Sequence, residues 1–160
     1  MKRKKKRETK EFQEIGAPLI RFLKKKGWKE DLKKRSSHTG AHGWDLEFTH
    51  KGRRYVIEIM GKHNREHGSF VQTLGELVWR DYTPKSRKPV FKGDAIRRTY
   101  YRRIALAFWK GHKAKYLNKI RKMPTNWRKI GKTFNCRFVF FVDDRTGEVD
   151  MLKWNQCLRG

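Results

Sequence analysis

The sequence is short of acid. Asp and Glu total 16 residues against 42 Lys and Arg, and the formal charge is +26. A surface so one-sided repels itself unless a polyanion offsets it. Nucleic acid is the default partner for such a chain. Cysteine is scarce as well. Cys136 and Cys157 are the only two, which excludes a disulfide framework and a zinc cluster and fits a reducing cytoplasm. No apolar run approaches the ~20 residues of a spanning helix, and no strongly amphipathic basic helix dominates, so no membrane role is expected. The opening run MKRKKKRETK has no apolar region behind it and does not read as a signal peptide. Residues 1–10 read as a flexible basic arm that contacts phosphate or aids solubility. Residues 11–160 read as a single domain, since hydrophobic residues at 36% and aromatics at 13% suffice for one core.

Periodicity gives the order of elements. Phe12, Ile15, Leu19, Phe22 and Leu23 recur at helical spacing, with Pro18 as a start or kink and Gly27 as a stop. Residues 28–42 hold at most one short strand before the loop SSHTGAHG. Residues 45–60 form the clearest hairpin, turning at Lys51-Gly52. Ser69 and Gln72 match a capping box that opens a helix with Phe70, Leu74, Leu77 and Val78 on one side. A loop rich in Pro, Lys and Arg spans 81–98. A strand at 103–108 follows, then a basic helix at about 113–122 that Pro124 ends, and a shorter helical turn around Trp127. Strands at 137–144 and 149–154 close the chain around Thr146-Gly147. The fold class expected is α/β (α+β), a mixed β-sheet flanked by helices.

A hairpin symmetric about Lys51-Gly52 sets Asp45 opposite Glu58, with Cβ atoms roughly 5 Å apart. Glu47 shares that face, as do Val56 and Met60, two residues either side of Glu58. Leu46, Phe48, Tyr55, Ile57 and Ile59 form the opposite, core-facing side. Facing carboxylates destabilise a sheet, so something must compensate. One reading is a hard divalent cation, which takes oxygen ligands and substrate phosphate. The other is a solvated face on which Arg53, Arg54 or a lysine neutralises the acids.

At these residues the chain resembles a known family. Asp45, followed by a strand ending Glu58-Ile59-Met60, is similar to the PD-(D/E)xK, or restriction-endonuclease-like, nuclease superfamily. The segment SFVQTLGELVWR resembles the Gln-bearing helix that follows the motif strand in many members. The resemblance covers residues 12–108 and implies a restriction-endonuclease-like core. It implies a metal-dependent endonuclease that hydrolyses phosphodiesters, of DNA before RNA, with Mg²⁺ or Mn²⁺ as cofactor. Asp45 and Glu58 would hold the metal, Glu14 would be a further acidic contributor, and Gln72 would position substrate or water. Trp44 stands in place of the name-giving proline. Met60 stands in place of the catalytic lysine, matching its length without its charge or donors. Lys62, two residues on, is the candidate to supply that charge, with Gly61 a possible bulge between. If Met60 silences the site, a non-catalytic nucleic-acid-binding or ribonucleoprotein component is the alternative. Cutting two strands would call for a homodimer or a larger nucleoprotein complex.

The phosphate contacts expected elsewhere come from two basic segments. Lys85, Arg87, Lys88 and Lys92 lie in the 84–92 loop, and Lys113, Lys115, Lys119, Arg121 and Lys122 in the basic helix. His38 and His42 read as loop residues. His63-Asn64-Arg65 with His67 matches a fragment of an HNH-type site without its structural context. Trp109, Trp127 and Trp154 read as core before base-stacking platforms.

Overall fold

The structure is a computed structural model that describes residues 10–31, 46–60 and 102–159. Outside the described residues lie residues 1–9 of the basic arm, Asp45, Lys62 and Gln72. The 84–92 loop and His38, His42, His63 and His67 lie outside as well.

The first helix forms in two parts. Phe12–Gly16 is a π turn and Ala17–Lys25 is helix α1. Pro18 explains the join, because it has no N–H to donate back along the helix, and the Ala17 N–H bonds the Phe12 carbonyl instead. Gly27, at φ +82°, stops the helix in the left-handed conformation, and the Trp28 N–H returns to the Leu23 carbonyl.

Among the described residues six strands make one sheet in sequence order: β1 (Lys29–Glu30), β2 (Leu46–His50), β3 (Arg53–Met60), β4 (Arg102–Trp109), β5 (Cys136–Val142) and β6 (Val149–Lys153). β1, β2 and β3 are antiparallel, β3, β4 and β5 are parallel, and β6 is antiparallel to β5. The sheet is therefore mixed, and helices flank it, as expected. The β2–β3 turn is Lys51-Gly52 with φ of +48° and +68°. Two positive values in a two-residue loop define the tight hairpin turn whose twist matches the strands. Leu46 pairs with Ile57 and Glu47 with Val56, the symmetric register that the sequence implies.

Between β4 and β5 run α2 (Lys113–Lys122) and α3 (Pro124–Thr133). The turn expected around Trp127 is a ten-residue helix, as long as α2. Pro124 both ends α2 and starts α3, where its fixed φ suits the first helical position. Asp143 Oδ1 accepts the Arg145 and Thr146 N–H groups at the β5–β6 turn, which holds its carboxyl below the ordinary range.

Both sheet faces are covered. On one, Phe12, Ile15, Leu19 and Leu23 pack on Phe48, Ile57, Ile59 and Phe140. On the other, Tyr116, Ile120, Trp127 and Trp154 pack on Val56, Met60, Phe108 and Phe141. Trp127 and Trp154 stack at 3.7 Å with planes 1° apart, and each indole N–H donates to the other's carbonyl at 2.8 Å. They are core residues, as expected of them. Gly131 makes that pair possible, since a Cβ there would clash with the Trp154 ring. Among the described residues no helix is long and apolar enough to cross a membrane.

Candidate functional site

The central strand β3 carries the candidate chemistry. Its last five residues are Val56, Ile57, Glu58, Ile59 and Met60, and all are buried. A strand covered on both faces is expected to be apolar throughout. Glu58 is the exception, at 4% exposure, between Val56 and Met60 on the face covered by α2 and α3. The acid face is thus a second core rather than a solvated surface. The alternation V-E-M reads as outward-facing because the elements that cover it come from residues 116–154, far along the chain.

Glu47 lies on the same face of β2, at 8% exposure, and is buried where one of the two sequence readings expects a solvated face. Arg54, diagonal to it across the hairpin, donates Nη2 to Glu47 Oε2 at 3.0 Å. Cross-strand neutralisation by Arg54, one of the two sequence readings, therefore operates for Glu47. Glu58 sits further along β3, opposite Leu106 of β4.

Met60 packs with Val56, Phe108 and Phe141 in the α2–α3 core. Its thioether is a soft, weak acceptor and brings no charge to the Glu58 carboxylate two residues away. Glu14 belongs to the π turn, whose neighbours Phe12 and Ile15 pack on the other sheet face with Ile57 and Ile59. Among the described residues no three His, Cys, Asp or Glu side chains are grouped to hold a metal.

The cations of α2 divide by environment. Lys115, Arg121 and Lys122 are exposed and Lys119 is half-buried, while Tyr116, Leu117 and Ile120 point into the core. Lys113 is half-buried and paired: its Nζ donates to Asp150 Oδ2 at 2.7 Å, and Lys110 bonds Asp150 and Glu148 nearby. The Trp109 indole donates to Asp144 at 2.9 Å. Both cysteines are free and buried, and burial pushes the Cys157 thiol up to about 12, which leaves it inert as a nucleophile.

Compared with protein-family models, with curated proteins and with solved structures, the chain gives no match.

Proposed function

We propose that this chain is a metal-dependent nucleic-acid endonuclease with a restriction-endonuclease-like core, acting on DNA before RNA. The observation that carries the reading is Glu58, a carboxylate buried in the apolar centre of a mixed sheet. A buried carboxylate costs stability unless it is paired, hydrogen-bonded or coordinated, and functional sites are where such costs are kept. Asp45, Glu58 and Glu14 are the carboxylates assigned to the metal. Oxygen donors of this kind suit Mg²⁺ or Mn²⁺. When bound, the cation would lower the pKa of water and stabilise charge on the phosphate. Glu58 orients that chemistry from a rigid strand, and the surrounding core keeps bulk water away from its carboxylate. Gln72 is assigned to positioning substrate, and Lys62 to the positive charge that Met60 lacks.

The second reading is a nucleic-acid-binding component without catalysis. It is favoured by Met60, which is 5% exposed and integrated into the apolar core beside Glu58. It keeps the fold and uses the net charge of +26 to hold nucleic acid.

Plasmid and single-strand cleavage with Mg²⁺ or Mn²⁺ separates the two. The first reading expects cleavage that Glu58→Ala abolishes and that Lys62→Ala reduces by about 10²-fold or more. Cleavage by Met60→Lys alone would mark a nuclease silenced at one position. Binding without cleavage by either protein would overturn the first reading in favour of the second.

A further inference from the structure

One concavity of about 790 Å³ lies at the end of the sheet where β4 and β5 begin. Six cations line it: Arg103, Arg128, Lys132, Arg137, Lys153 and Arg159. No Asp or Glu does. They come from β4, α3, β5, β6 and the C-terminal turn, so 56 residues of sequence separate the first from the last. Among the described residues none of the six is in an ion pair, although Lys24, Arg54, Lys110 and Lys113 all are. Arg103 donates to the Tyr55 hydroxyl at 3.0 Å, a neutral partner that leaves its charge uncompensated. Among the described residues, then, no acid offsets the positive charge of this cavity.

The backbone contributes to the arrangement. The β4–β5 register shifts so that Ile104 pairs with Cys136 and Ala105 with Phe138, leaving Arg137 as the extra residue of a bulge. Cys136 packs in the α2–α3 core and Phe138 against the opposite one, although two residues apart on a regular strand would share a face. A bulge of this kind re-aims a side chain, and here the residue it sets apart is an exposed arginine on the cavity wall. Four arginines, with planar forks of donors, suit phosphate oxygens better than a diffuse lysine surface does.

We propose that this cavity is a phosphate-binding subsite that holds the backbone of a nucleic-acid strand. It rests on the nucleic-acid substrate class proposed above but not on catalysis. Arg103 is level with Tyr55, and Glu58 lies three residues further along β3, roughly 10 Å at about 3.3 Å per residue. The cavity therefore adds affinity and register at a distance from the carboxylate, without touching the reacting phosphate.

The test is binding of a labelled DNA oligonucleotide, single-stranded and duplex, by fluorescence anisotropy in EDTA over a series of salt concentrations. The variant Arg128→Ala/Arg137→Ala/Lys153→Ala removes three exposed cavity cations. Arg21→Ala/Lys25→Ala/Lys29→Ala removes three exposed cations elsewhere and matches its charge. The cavity variant is expected to weaken binding by about tenfold or more and to lower the salt slope by about two to three. The control should change affinity by no more than about threefold. Arginine-to-lysine replacement at positions 128 and 137 keeps the charge without the forks and should recover part of the binding that the alanine variant loses, which a folding defect would not. Equal losses in the two alanine variants, or no loss in the cavity variant, would overturn the subsite while leaving the endonuclease reading intact. Failure of the unmodified protein to bind either form would overturn both.

Discussion

Glu58 and Met60 stand two residues apart on one face of β3, both buried, with the thioether in the apolar core and the carboxylate beside it. This pairing makes Met60 a residue with two constraints. Leucine at that position keeps volume and polarity and should cost less than about 1.5 kcal/mol. Lysine brings an ammonium into the same core and should cost at least about 2 kcal/mol more than leucine, because desolvating a charge is only partly repaid by one partner. Removing that partner with Glu58→Ala in the Met60→Lys background should lower stability further, with a coupling of about 0.5–3 kcal/mol between the two. Chemical denaturation of the unmodified protein, Met60→Leu, Met60→Lys, Glu58→Ala and the double variant measures it. A Met60→Lys protein as stable as Met60→Leu would place the residue where water reaches it.

Arg54 and Glu47 give a second prediction. The guanidinium is partly exposed and the carboxylate is not, at 35% and 8%. Arg54→Ala removes a donor from a buried acceptor, which costs the desolvation of that acceptor, about 1–3 kcal/mol. Arg54→Ala combined with Glu47→Gln should cost less than the two single changes added together, since the amide tolerates burial better than the carboxylate. Thermal unfolding at neutral pH checks both. Strict additivity would show that the contact contributes nothing.

Much of this fold is legible in the sequence because local chemistry sets it. The Lys51-Gly52 turn, the alternation on both hairpin strands and the boundaries of α2 follow from residues near one another. What escapes notice depends on distant residues. The sequence reads as a short turn around Trp127, yet α3 runs on through Gly131, where the Trp154 ring occupies the space a side chain would fill. Glu47 and Glu58 read as standing on the side of the hairpin away from the core because the helices that bury them follow much later in the chain. The hairpin register that sets Asp45 against Glu58 in the sequence reading is observed for its five neighbouring pairs, while Asp45 lies outside the described residues. The six cavity cations form no run in the sequence, and only the sheet end brings them together.

Asp150 gives a prediction in pH. The Lys113 ammonium, hydrogen-bonded at 2.7 Å, holds its carboxyl below the ordinary aspartate value, and the charges of Lys113 and Lys110 add to this against partial burial. A carboxyl depressed in the folded state stabilises the fold above its unfolded pKa, and that contribution disappears as pH falls through the folded one. Unmodified protein should therefore exceed Asp150→Asn in stability at neutral pH, by about 1 kcal/mol or less for so accessible a pair. The gap should close on acidification below the ordinary aspartate range, and it should also shrink with added salt at neutral pH. Melting curves of both proteins over an acid-to-neutral series decide it. A gap that persists unchanged once the carboxyl is protonated would assign the effect of Asp150 to packing on β6 and not to its ion pair with Lys113.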